Sequence, residues 1–213
     1  MPAQSPRRRT RVVMSPEDRR EAILKAAGEV FSTIGFSKAT TATVAEAAGI
    51  AQGTIYLYFE SKEHLLAAVW ERYVEALLHI TNGILDRGDD WWSTVDSLWA
   101  ALLEHAVRNA ELHRTVYGSS NAKALELCKE INQRVIDVIC AYVARGAEAG
   151  AFQATAPTMT CRMIYHAVDG LLDDLISQHA EINLPELTAW VHELTHRALT
   201  APTPRVDFAN PAS

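Results

Sequence analysis

No apolar run in this sequence approaches the ~20 residues that a bilayer-spanning helix needs, so no stretch reads as a membrane span. The N-terminus is basic, but no apolar core follows it, and it does not read as a secretory signal. Cysteine is scarce. Cys128, Cys140 and Cys161 are the only three, and they lack the C-x-x-C spacing of a metal site or redox pair. They read as buried thiols in a reducing compartment, so the expected location is the cytoplasm. Internal repeats and low-complexity segments are also lacking. What remains is 48% apolar, enough for a true core, and 213 residues long, enough for two small helical domains or one larger one.

The net charge of −6 is unevenly spread. Residues 1–65 hold nine Lys/Arg and seven Asp/Glu, and the rest holds eleven and nineteen. Positive charge is therefore local to the N-terminal part, as phosphate contact requires. Much of it is the run Arg7, Arg8, Arg9 and Arg11 in residues 1–14, a stretch with prolines and no apolar pattern. This arm is expected to be disordered when free and to lie along phosphates or in a minor groove when bound.

The most informative stretch runs from Gly35 to Leu66. Ser15-Pro16-Glu17-Asp18 starts a first helix with a cap, a first-turn proline and two acids at the positive end of the dipole, and Gly35 ends it. Thr40 is a cap for a second helix striped with Val44, Ala45 and Ala48. Gly49 then supplies a left-handed stop, and Gln52 to Phe59 makes a third helix with Ile55 and Phe59 inward. A short helix, a glycine turn and a second short helix form the layout of a helix-turn-helix, whose second helix enters the major groove. Gln52 can pair with adenine, Thr54 can meet a base or a thymine methyl, and tyrosine hydroxyls can reach phosphates.

The order AT-T, V-A-E-A-A-G-I, then Q-G-T-I-Y-L-Y-F-x-S-K-E-H-L-L, after a helix ending I-G-F, closely resembles the DNA-binding domain of tetracycline-repressor (TetR) family regulators. The resemblance covers roughly residues 15 to 66. It implies an all-α fold of about nine helices, with a three-helix helix-turn-helix DNA-binding domain and a larger helical ligand-binding and dimerisation domain. It further implies that Thr40, Tyr56, Tyr58 and Lys62 grip phosphates and that Ala42, Gln52, Gly53, Thr54 and Leu57 meet bases, with Thr41 joining the DNA-binding set. Ala42 and Gly53 are too small to hydrogen-bond a base through a side chain. The expected organisation is a basic arm over 1–14, the DNA-binding domain over 15–62, the second domain over 63–201 and a loose tail over 202–213.

Further along, Lys62 to about Arg87 reads as one long amphipathic helix joining the two domains. Helices are expected near Trp91–Ala106, over 111–120 in part, about Asn121–Ala149, about 157–180 and from Pro185 onward. By the family resemblance the last two pair with their symmetry mates in a four-helix bundle, through Leu171, Leu175, Leu187, Trp190, Val191 and Leu194. The stretch SSNAKALELCKEINQRVIDVICAYVARGAEAGAF is similar to fatty-acid-responsive (FadR-type) members. That likeness implies a small hydrophobic effector such as an acyl-CoA in a long apolar pocket, with Trp99, Leu103, Tyr117, Cys140, Met163 and His166 as candidate lining.

One motif points elsewhere. His192-Glu193-Leu194-Thr195-His196 fits H-E-x-x-H, which on a helix could hold zinc beside a general base and would make the chain a zinc metallopeptidase, the first alternative. A catalytic zinc needs a third protein ligand and a cleft. The seventeen residues after His196 hold no histidine. The expectation is no catalysis, no metal and no cofactor. The partners would be double-stranded operator DNA, a small hydrophobic effector and a second copy of the chain. A helical dimeric binding protein without DNA activity is the other alternative.

Overall fold

The computed structural model describes residues 14–119 and 121–200. The expected contacts of Arg7, Arg8, Arg9 and Arg11, and the tail from 202 on, lie outside the described residues. Among the described residues there are nine helices and no strand. They are α1 (Pro16–Ile34), α2 (Thr41–Ala47), α3 (Gln52–Ile55), α4 (Lys62–Leu85), α5 (Trp91–Arg108), α6 (Ala110–Tyr117), α7 (Ala122–Glu148), α8 (Pro157–Ser177) and α9 (Leu184–Thr200).

Local chemistry accounts for the boundaries. Ser15 accepts the Asp18 amide and Pro16 takes the first turn of α1. Thr40 and Thr43 cap α2 reciprocally. Ser61, Asp90 and Asn121 accept amides at the starts of α4, α5 and α7. Gly49, at φ 66°, turns the chain between α2 and α3 in a conformation that would strain a side chain.

One element differs from expectation. The helix expected over Gln52–Phe59 is α only to Ile55. Beyond it the Leu57 and Tyr58 amides donate three residues back, to Thr54 and Ile55 carbonyls at 3.2 and 3.0 Å. Glycine, β-branched and aromatic residues dominate this segment and favour an α-helix weakly. The tighter turn still delivers Phe59 to the core.

Ile23, Leu24, Ala27 and Phe31 of α1 are buried with Val44, Ala45, Ile55 and Phe59. Phe36 meets Phe31 edge-on at 5.5 Å. α4 leaves this unit as a rod of about 36 Å and lies along α7, which lies along α8. α9 packs on α5 and α8, and α6 touches both α1 and α8. Among the described residues no helix is long and apolar enough to cross a membrane.

Candidate nucleic-acid interface and effector pocket

The α2–α3 unit presents an outward face of unusual composition. Leu57 is 81% exposed and Tyr56 is 54% exposed. Ala42, Gln52 and Gly53 are exposed as well, while Thr54 and Tyr58 are half-buried. A Cβ on Gly53 would meet nothing within 4 Å, so packing within the chain gives no reason for glycine there.

Two expected contact residues do something else. The Thr41 side chain is buried. Its hydroxyl lies 3.0 Å from the Tyr56 hydroxyl and accepts from Gln52 Nε2 at 3.3 Å. Thr41 therefore orients two exposed side chains and is not itself an open contact. Lys62 also turns inward. Its ammonium donates to the Phe36 and Ala39 carbonyls at 2.9 and 3.0 Å and sits 4.3 Å from the centre of the Phe36 ring. The reason is local, because the loop between α1 and α2 leaves carbonyls without helical partners. Lys62 pins that loop. Thr40 is exposed but spends its hydroxyl on the helix cap.

A second site lies among α4, α5, α6, α7 and α8. Trp70 Nε1 donates to Asn132 Oδ1 at 2.7 Å, and Asn132 Nδ2 donates to the Tyr117 hydroxyl at 3.1 Å. His113 Nε2 and the Tyr73 hydroxyl share a hydrogen bond of 2.9 Å. Trp70, Tyr73, His113 and Asn132 border an inner cavity with about 10 Å³ of free space, which Asp169, Tyr165 and several aliphatic side chains also line. An open pocket of about 370 Å³ lies outside it, lined by Arg114, Tyr117, Asp173 and Asp174 among others. His113 lines both. Its Nδ1 is buried without a hydrogen bond, and Asp173 Oδ1 is 3.5 Å away. Burial, with Asp173 close by, pushes the Asp169 carboxyl up to about 6, against the weaker pull of His113, His166 and Lys129. Burial also raises the Tyr73, Tyr117 and Tyr165 phenols.

The six residues expected to line a long apolar pocket do not converge. Trp99, Leu103 and Cys140 are buried in solid core. Trp99 lies 6.5 Å from Tyr165, and the free Cys140 thiol lies within hydrogen-bonding reach of the free Cys161 thiol. Met163 and His166 face outward on α8, Met163 with 68% exposure. Of the six, Tyr117 lines the outer pocket and none lines the inner one. His113, Asp169 and Asp173 escaped the sequence reading because no motif surrounds them. A polar residue on the inward stripe of a helix was the available signal.

The expected dimer face is likewise divided. Leu171, Trp190 and Leu194 are exposed, joined by Met159 and Met163. Leu175 is half-buried. Leu187 and Val191, at 5% and 4% exposure, point into their own protomer, because α9 must cover α5 and α8 before it can offer a face to anything else.

The H-E-x-x-H residues tie α9 to α5. His192 Nε2 lies 3.0 Å from the Asp96 carbonyl, and His196 Nε2 lies 2.9 Å from Asp96 Oδ1. Glu193 pairs with Arg197 at 2.6 Å. No group of three or more His, Cys, Asp or Glu suited to a metal ion occurs among the described residues.

Residues 23–69 match the family model of bacterial regulatory proteins, tetR family. Over 78 residues the chain is 42% identical to the uncharacterized HTH-type transcriptional regulator YvdT of Bacillus subtilis (strain 168), a match spanning 37% of this chain and 40% of that protein. A longer match, to the uncharacterized HTH-type transcriptional regulator YhgD of the same organism, is 21% identical and spans 86% and 98% of the two chains. Among solved structures, the transcriptional regulator FadR from Bacillus subtilis in complex with stearoyl-CoA superposes with a TM-score of 0.74 at 19% identity, over 84% of this chain and 98% of that one. That likeness establishes a shared fold.

Proposed function

Since residues 23–69 place the chain in the tetR family of bacterial regulatory proteins, we propose that it is a homodimeric transcriptional repressor released from a palindromic operator by a small molecule. Two copies of the α2–α3 unit enter successive major grooves about one helical turn apart. Tyr56 and Tyr58 meet phosphates, while Gln52, Thr54 and Leu57 meet base edges. Gly53 is small so that the DNA backbone can come close. The arm residues Arg7, Arg8, Arg9 and Arg11 add sequence-independent attraction. The copies pair through the outward faces of α8 and α9, where Leu171, Trp190 and Leu194 are exposed.

The observation that carries the effector part of this reading is the position of α6. His113 lines both cavities. Two residues on, Thr115 is buried where α6 packs on α1: its hydroxyl donates to the Glu111 carbonyl of its own helix at 2.8 Å and lies 3.4 Å from the Phe31 carbonyl in the last turn of α1. One short helix therefore touches the effector space and the DNA-binding unit. A guest that displaces His113 moves α6 and changes the spacing of the two reading units, so ligand and DNA oppose each other reciprocally. The FadR neighbour binds stearoyl-CoA and brings a fatty acyl compound to this chain as one candidate. Asp169, Asp173 and Asp174 count against its anionic head.

The test is a mobility-shift assay with the DNA upstream of the chain's own gene, alongside light scattering. The expected result is a specific shift by a dimer. A monomer, or a shift equal to that of unrelated DNA, would refute the proposal.

A further inference from the structure

The chemistry of the pocket points to a class of effector, and the inference rests on the reading that this pocket is the effector site. The inner cavity has an apolar side formed by Leu77, Leu102 and Leu172 and a side of aromatic rings. Trp70 stacks on Tyr73 at 4.4 Å and meets His113 edge-on at 4.9 Å. His105 stacks on Tyr73 at 4.4 Å as well, so Tyr73 has a ring on each face and the charge preference of the site rests on its carboxylates. Asp169 lines this cavity and accepts no hydrogen bond from the described residues. Next to it His113 holds a buried Nδ1 that makes no hydrogen bond, with Asp173 Oδ1 3.5 Å away. Polar groups buried without partners are rare in folded proteins and call for an explanation.

The outer pocket adds Asp173 and Asp174. Its arginine, Arg114, is already engaged, because it pairs with Glu111 and donates to the Ile176 carbonyl at 3.0 Å. A thioester carrying several phosphates would set its charges against two carboxylates there without a free guanidinium to meet them.

We propose that the effector is a lipophilic monocation, an amine or quaternary ammonium on an apolar body, with its charged head between Asp169 and Asp173 beside His113 and its body against Leu77, Leu102 and Leu172. The free space of about 10 Å³ admits one water, so the guest enters by displacing the His113 side chain, which lines both cavities. Asp169 is half-buried and stands close to Asp173, and a cation between the two carboxylates relieves their mutual repulsion.

Decyltrimethylammonium, decanoate and decanoyl-CoA, each below its micelle threshold, are titrated calorimetrically into the full chain. Binding of the cation alone is expected, weakened about 30-fold in Asp169→Asn and in Asp173→Asn, with thermal melts showing both variants folded. Binding of decanoate or decanoyl-CoA as tightly as the cation overturns the proposal. So does the absence of cation binding, or unchanged cation affinity in both variants. The same compounds are then added to the protein bound to its upstream DNA. Release by decanoyl-CoA and not by the cation keeps the regulator reading and overturns this one. Failure to bind that DNA counts against the regulator reading alone, since calorimetry still decides the pocket.

Discussion

The reading face and the effector pocket depart from the usual partition of side chains in opposite directions. At the reading face, Leu57 and Tyr56 are large and exposed. Around the pocket, His113 is enclosed with its Nδ1 lacking a hydrogen bond, and the half-buried Asp169 carboxyl is raised by burial and by Asp173. Exposed apolar groups cost the free protein little, since much of any protein surface is apolar. Enclosed polar groups cost it directly. On the proposed function, the face of α2 and α3 is therefore a site that stability barely notices, whereas the pocket is a site that lowers stability until a guest arrives. Substitutions should separate the two.

The largest effect is expected from the arm. Without it, residues 14–65 hold five Lys/Arg against seven Asp/Glu, so the folded DNA-binding unit is net negative. Deleting residues 1–11 should lower operator affinity about 100-fold at physiological salt and reduce the slope of log affinity against log salt by about 3 to 4. Fluorescence anisotropy across a salt series measures both. An unchanged slope would mean that the arginines do not reach phosphates.

Next comes Asp169→Asn, with the opposite sign. The Asp169 pKa is raised from 3.8 to about 6 in the fold. Its contribution to stability is therefore fullest below the unfolded value and is lost as pH rises through about 6. Removing the charge should stabilise the protein by about 2 kcal/mol at pH 7.5 and by little at pH 4. Urea unfolding at the two pH values gives the difference. A variant that is less stable at pH 7.5 would show that Asp169 is satisfied, and the contrast drawn above would fail on the pocket side.

Leu57→Ala follows. With 81% of Leu57 exposed, its loss should leave folding stability within about 0.5 kcal/mol while lowering operator affinity about tenfold. A clear drop in melting temperature with unchanged DNA affinity would make Leu57 a packing residue.

The same contrast explains what could be read from the chain alone. The reading face is local. Thr40, Gly49, Ile55 and Phe59 lie within twenty residues, and each announces a cap, a turn or an inward position by its own chemistry. The pocket is assembled from five helices, and Tyr73 and His113 meet across forty positions, which no periodicity records. Apolar stripes are visible in α8 and α9, but a stripe does not say which side covers its own protomer. Leu187 and Val191 turned inward while Trp190 and Leu194 turned outward. Lys62 misled for a related reason. A cation near a DNA-binding unit suggests phosphate, and only the fold reveals the two carbonyls of the α1–α2 loop that claim it.

The smallest effect expected concerns Thr195, which decides whether an enclosed unpaired polar group marks a site by itself. Its Oγ1 is buried without a hydrogen bond, like His113 Nδ1, yet it borders neither the inner nor the outer cavity. Thr195→Val keeps the shape and removes the hydroxyl, which should stabilise the protein by about 1 kcal/mol and leave DNA and effector binding unchanged. Denaturant melts and the binding titrations read these independently. If the substitution impaired release of DNA by the effector, the response would extend into α9 and the pocket could not be bounded by its lining. If it altered stability alone, an unpaired group would be a functional sign only where, as at His113, a cavity lies in front of it.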